Sequence, residues 1–245
     1  MVKRDIFKYW VLIPPKMVQE QKAVESSLEM RLGHEVPPEH YEILAAIVNN
    51  AWGWLFEATP EIIERRLKSG HPFVAAYGQK LPNEQIEGVD LGHYDGQKIP
   101  IVFLETVALR TDGRYENVPK NYFSLTNGGL WAPVPQNPDT VMMVDLTSIP
   151  SRTGVAQEIS SLIGYTKSLL AGQTNYQLPF DPNGINHIWT YSPDRPAVVK
   201  MHTDNGATDT RFVILNSRTP LNSSDGNLPR IAKLSQNTHL MSYRG

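Results

Sequence analysis

The sequence predicts an α+β domain in which helices cover a mixed β-sheet. Three observations lead there. Residues 38–70 carry helical periodicity twice over, residues 73–111 hold two apolar strand runs, and residues 140–216 alternate as β–α–β–α–β. The 245 residues suffice for one large domain or two small ones, and this order of elements points to one main domain.

The elements follow in order. Residues 1–37 read as a leader: an aromatic, apolar piece (Phe7, Tyr9, Trp10, Leu12), then Pro14-Pro15, then a helical segment Lys16–Leu32 that would pack on the domain or on a partner. The main domain is expected over 38–245. In Pro38–Leu55, Ile43, Ile47, Ala51 and Leu55 form one row and Leu44, Val48 and Trp52 the next, which makes a buried helix face. Thr59-Pro60-Glu61 combines a capping hydroxyl, a proline at the first helical position and an acid in the first turn. Ile62, Ile63, Arg66 and Leu67 continue that helix, and Gly70 stops it.

Phe73–Gln79 and Ile99–Thr111 read as strands, separated by a polar excursion over 80–98. Residues 112–139 form a second long excursion. Its aromatics Tyr115, Tyr122, Phe123 and Trp131 argue for an ordered lid. There follow strand 140–149, helix 155–171, strand His187–Tyr191, short helix Pro196–Asn205, strand Arg211–Asn216 and a last strand Thr238–Tyr243.

Composition narrows function by exclusion. Hydrophobic residues at 40% and charged residues at 20% are ordinary for a globular chain, and a net charge of −2 leaves no basic footprint for nucleic acid. The absence of cysteine removes disulfides, thiolate nucleophiles and Cys-ligated zinc. No apolar run approaches membrane-spanning length, and Lys8 interrupts the apolar part of the N-terminus, so the expected location is cytoplasmic. The seven histidines show no His-x-x-x-His spacing, so no metal site is expected. Neither a Gly-x-Ser-x-Gly elbow nor a Walker loop is present, which leaves hydrolase and NTPase readings without support.

Thr140–Gln157 stands out. An apolar strand runs into Ser151-Arg152-Thr153-Gly154-Val155-Ala156 and a helix begins there. The first N–H groups of a helix lack internal partners and its dipole favours negative charge, so this turn suits an anion such as a pyrophosphate. Gly154 and Ala156 would let the backbone approach phosphate, and Ser151 or Thr153 would cap the helix; a strand–turn–helix without a ligand is the plain alternative. Strict alternation along the strand would place Met142, Val144 and Leu146 under the helix, and Asp145 and Thr147 on the other face with Val141 and Met143. Asp145 reads either as a general base or as a capped carboxylate. Glu105 interrupts the apolar row Ile101, Phe103, Val107, Leu109. Such a carboxylate should have a raised pKa, as a general base for an amine does, unless an arginine such as Arg110 or Arg211 pairs with it.

The order of elements and three motifs resemble the GNAT superfamily of acyl-CoA N-acyltransferases. Gly154-Val155-Ala156 after the strand is similar to its pyrophosphate motif. Asp194-Arg195-Pro196-Ala197 followed by His202 and Gly206-Ala207 is similar to its Asn-x-x-Ala…Tyr-x-x-x-Gly-Phe/Ala motif. The two helices before FVAAYG and FLETV resemble its opening. The resemblance covers roughly residues 38–245. It implies a mostly antiparallel, twisted mixed sheet flanked by helices, an acyl-CoA such as acetyl-CoA as co-substrate, and acyl transfer to an amine.

By that resemblance, Leu146, Thr147, Ser151, Arg152, Thr153, Gly154, Val155 and Ala156 would hold the cofactor. His202, Glu105 and Thr147 would be catalytic: His202 protonating the departing thiolate, Glu105 or a water taking the amine proton, Thr147 hydrogen-bonding the thioester or a carboxylate. Trp54, Asp145, Trp131 and Arg211 would line the acceptor site, with Arg218 a further candidate for reading a carboxylate. The expected partner is a small-molecule or carrier-bound acyl substrate, with a homodimer left open and neither nucleic acid nor membrane. The pattern departs from the family in a shorter loop from Pro150 to Gly154, in Ser151 where an Arg or Gln is usual, and in His202 where a Tyr is usual. A Thr and a His also resemble the polar pair of the GNAT-like decarboxylases, so decarboxylation of a malonyl-type thioester through Thr147 and His202 is the close alternative. A non-catalytic acyl-CoA-binding or interaction domain is the third.

Overall fold

The computed structural model describes residues 28–52, 57–120, 122–152, 155–193, 196–214 and 238–244. Seven strands form one sheet in the order β1-β2-β3-β4-β5-β7-β6. They are β1 Glu29–Leu32, β2 Phe73–Gln79, β3 Lys98–Leu109, β4 Thr140–Ser148, β5 His187–Pro193, β6 Thr208–Ile214 and β7 Thr238–Arg244. Every neighbouring pair is antiparallel except β4 and β5. That parallel pair is joined by a helical crossover, as parallel strands require.

The helices are α1 Tyr41–Trp52, α2 Pro60–Leu67, α3 Tyr122–Thr126, α4 Ala156–Leu170 and α5 Pro196–Asp204. Ile43, Leu44, Ile47 and Val48 of α1 are fully buried, as their row spacing predicts. The Thr59 hydroxyl accepts from the Ile62 N–H at the start of α2, and Gly70 ends the segment at φ 84°. α4 packs on β2 and β3, α1 on β4, and α5 on β5. Among the described residues, no helix is long and apolar enough to cross a membrane.

One part of the expected leader lies inside the sheet. Glu29–Leu32, expected as the end of a helix, pairs with Val74–Tyr77 as an edge strand. Its short, charged sequence carries no period of its own, and the pairing is set by β2. The rest of the leader, residues 1–27, falls outside the described residues.

The excursion over 112–139 is the ordered lid its aromatics suggest. Asp139 pins its base by accepting from the N–H groups of Thr111 (2.9 Å) and Asp112 (2.6 Å). Val118, Leu125 and Trp131 of the lid form a second apolar cluster with Val107, Met142, Trp189 and Leu240. The main core, built on α1 and α4, takes Val141, Met143, Ile188, Met241 and Tyr243. Alternate residues of β4, β5 and β7 therefore face the lid and the main core in turn.

Candidate active site

Two irregularities of β4 shape the site. First, β4 and β5 pair only from Thr140–Met143 to His187–Thr190. Beyond Met143, β4 runs on to Ser148 without a β5 residue opposite, so the sheet forks there. The Thr190 hydroxyl donates to the Met143 carbonyl (3.0 Å) at the fork point. Second, β3 pairs Glu105 with Asp145 and Thr106 with Met143, which leaves Val144 as an extra residue in β4. This bulge reverses the alternation beyond it. Leu146 consequently packs against the main core with Val141 and Met143, whereas Met142 and Val144 belong to the lid side. The strict alternation expected from the sequence fails at this point. Asp145 comes to face the lid because of the bulge.

The lid covers a polar cluster there. Arg66, on the buried face of α2, donates through Nη1 to Glu105 Oε2 (3.1 Å) and through Nε to the Gly129 carbonyl (3.0 Å). Its guanidinium lies 4.3 Å from the centre of the Trp131 ring. Tyr122, from α3 in the lid, donates its hydroxyl to Asp145 Oδ2 (2.9 Å). Glu105 and Asp145 are only 2% and 1% exposed. Burial foremost, then the neighbouring Asp145 carboxylate, pushes Glu105 up to about 8, against the opposing pull of Arg66. Burial and the same carboxylate raise the Tyr122 phenol well above its ordinary value. Glu105 and Asp145 lie opposite each other across β3 and β4 and form an acid pair.

The lid is tied down around this cluster. Trp131 adopts φ 54° and its amide donates to the Thr126 carbonyl (2.8 Å), while its indole N–H donates to the Thr106 carbonyl (3.0 Å). His71 bridges sheet and lid: Nδ1 accepts from the Ala108 N–H (2.9 Å), which assigns the proton to Nε2 for donation to the Ala132 carbonyl (2.6 Å).

The expected site residues divide into groups. Glu105, Asp145 and Trp131 come together as described, and buried Thr147 sits two residues beyond Asp145, on the same side of β4. Glu105 does pair with an arginine, but the partner is Arg66. Arg110 instead meets Asp112 at the surface, and Arg211 is exposed on the edge strand β6, at a bulge with φ 62°. Arg211 is thus not part of the cluster. His202 is buried on the other face of the sheet, with Nδ1 2.6 Å from the hydroxyl of Tyr243. Burial pushes its imidazole down to about 4, so the ring is neutral at physiological pH.

At the turn after β4, Arg152 meets the buried Glu84 carboxylate at 2.7 Å, and the Ser151 hydroxyl exchanges hydrogen bonds with the backbone of Gln85. Ser151 therefore does not cap α4. Val155 stands at the cap without a side-chain bond, leaving the first backbone N–H groups of Ala156 onward to the turn. Thr153, Gly154, Trp54 and Arg218 lie outside the described residues.

The sequence reading missed Arg66 and Tyr122 as members of the cluster. For Arg66 a signal was available, namely a charge within the apolar row of α2. For Tyr122 nothing in the sequence set it apart from the other lid aromatics.

No protein-family model matches the chain, and no characterised protein matches it by sequence. Solved structures do match. NAA60 from Arabidopsis thaliana in complex with a bisubstrate analogue superposes with a TM-score of 0.54 at 11% identity, over 89% of this chain and 99% of that one. The loading GNATL domain of CurA from Lyngbya majuscula gives 0.52 at 10% identity, over 89% and 98%. The GphF GNAT-like decarboxylase in complex with isobutyryl-CoA gives 0.51 at 12% identity, over 88% and 98%. The likeness spans nearly the whole of each of those chains, and the chain has the GNAT fold.

Proposed function

We propose that the chain binds an acyl thioester of the acyl-CoA type at the fork between β4 and β5 and transfers its acyl group to an amine, with the Glu105–Asp145 pair as proton acceptor. The observation that carries this reading is the coincidence of fork, bulge and acid pair. The strand edge that β5 leaves offers backbone N–H groups to a thioester carbonyl, and the bulge turns Asp145 toward Glu105 beside that edge. Similarity in fold to proteins solved with acetyl-CoA and isobutyryl-CoA supports the choice of thioester.

Each residue has a part that its surroundings support. Burial and the Asp145 carboxylate raise Glu105 to about 8, which suits abstraction of a proton from an amine. Thr147 extends the same side of β4 and supplies a hydroxyl toward the acyl group. His202 sits on the opposite face; a fork, unlike a closed sheet, lets groups from both faces meet one substrate. As a neutral ring backed by Tyr243, it would hydrogen-bond the departing thiolate. The first turn of α4 would meet the phosphates of a CoA through its backbone, since Arg152 is already engaged by Glu84.

Decarboxylation of a malonyl-type thioester, expected through Thr147 and His202, would instead take its proton from the acid pair, because burial leaves the His202 imidazole neutral. Transfer to an amine should therefore speed up as pH rises through about 8, and decarboxylation should slow down. Thermal unfolding with acetyl-CoA and with malonyl-CoA is the first test. Binding to the native state raises the melting temperature, and no shift with either would remove both readings for CoA thioesters. The sign of the pH dependence then decides between transfer and decarboxylation.

A further inference from the structure

We propose that Arg66 is a positioning residue that links closure of the lid to the ionisation of the Glu105–Asp145 pair. As a statement about the reaction, this rests on the acid pair being the base proposed above. Its structural basis is that one guanidinium makes three different contacts: Glu105 on β3, the Gly129 carbonyl and the Trp131 ring of the lid. A second tie from the lid, the Tyr122 hydroxyl, ends on Asp145. The lid is thus tied to both carboxylates at once, to Glu105 through Arg66 and to Asp145 through Tyr122, and both carboxylates are buried.

With Glu105 protonated, the pair carries one negative charge fewer opposite the Arg66 guanidinium. Loss of that proton adds a negative charge to a buried site, which is costly unless the lid admits solvent or a substrate cation replaces the proton. The groups facing Glu105 are Arg66 from α2, Asp145 from β4 and Tyr122 from the lid. His71, the lid's other titratable anchor, is pushed below its ordinary value by burial and stays neutral from pH 7 upward.

The sign follows from linkage. The carboxyl holds its proton more tightly under the closed lid than in water, so closure is most stable in acid. That stability declines as pH rises toward about 8 and is flat beyond it. The product and the acceptor would then exchange most freely in the pH range where the pair is also the better base.

Amide hydrogen exchange tests this without any acyl substrate, so failure of the transfer reaction and failure of this linkage are separate results. The amides of Gly129 and Trp131 report the lid and the buried core of α4 serves as reference. After correction for intrinsic exchange, wild-type lid protection should fall between pH 6.5 and 8, by up to about tenfold per pH unit, and level off above. Glu105→Gln should flatten that profile. Arg66→Lys keeps the charge but loses the fork, and should lower lid protection at every pH while leaving α4 unchanged. A flat wild-type profile, an unaltered slope in Glu105→Gln, or wild-type lid protection in Arg66→Lys would each overturn the proposal. If Arg66→Lys does not fold, the Glu105→Gln profile alone decides.

Discussion

Among the described residues there are two buried arginine–glutamate pairs, and they differ in kind. Arg152 and Glu84 join the 80–98 excursion to the turn after β4; Arg66 and Glu105 join α2 to the centre of the sheet. The Glu84 side chain is 2% exposed and Glu105 is equally buried, so burial alone does not separate them. What separates them is the surrounding charge. Glu84 is one acid with one cation, and its second oxygen accepts from the Leu81 N–H (2.8 Å), so its bonds are complete. Glu105 shares its single cation with a second carboxylate, Asp145, and is raised to about 8 by burial and that neighbour. The first pair is a brace, and the second includes a carboxyl whose pKa burial and a second acid raise to about 8. A buried ion pair by itself is weak evidence of function; an excess carboxylate beside one is stronger.

The largest effect that would sharpen this contrast is on the reaction. Glu105→Gln should lower kcat for acyl transfer by about 10²- to 10⁴-fold, the usual contribution of a positioned base. Glu84→Gln should leave kcat within a few-fold. Equal losses in steady-state assays of the two variants would erase the distinction. Next comes stability. Arg66→Met strands two buried acids and should cost about 3–5 kcal/mol in denaturant unfolding. Arg152→Met should cost less, about 1–3 kcal/mol, because its head is partly exposed and the Leu81 N–H still serves Glu84.

The pH dependence is the third contrast. Transfer by the wild type should rise with pH and level off above about 8, because only the deprotonated pair accepts the amine proton. Glu84→Gln should keep that profile. The smallest effect concerns the turn. Glu84→Gln releases Arg152 toward an incoming phosphate and should tighten CoA binding by about two- to fivefold in calorimetry, in keeping with the worth of a partly exposed charge pair. Weaker CoA binding in that variant would instead make Glu84 part of what shapes the turn.

Much of the architecture was legible in the sequence because it rests on local rules. Thr59 and Gly70 punctuate α2, the apolar run Phe73–Gln79 is β2 to the residue, and the helix expected over 155–171 after β4 stands at Ala156–Leu170. β1 was hidden because four residues, two of them charged, form a strand only through their pairing with β2. The site was half legible. Glu105 stood out as a carboxylate in an apolar row, and Asp145 stood out in β4. The bulge at Val144 that brings them together has no residue type that announces it, since TVMMVDLTS contains neither Gly nor Pro. Arg66 comes from a helix 39 residues earlier, a contact that only the packing of α2 beside the sheet decides.

The central claim is that the forked sheet presents an acyl thioester to an amine whose proton passes to the Glu105–Asp145 pair. Its most direct test follows label from acetyl-CoA into a panel of primary amines between pH 6 and 9, with wild type and Glu105→Gln side by side. The account predicts transfer by the wild type that climbs to a plateau above about pH 8, and a Glu105→Gln variant that still binds acetyl-CoA but transfers almost nothing. Equal transfer by both proteins, or a wild-type rate that falls across that range, would contradict it.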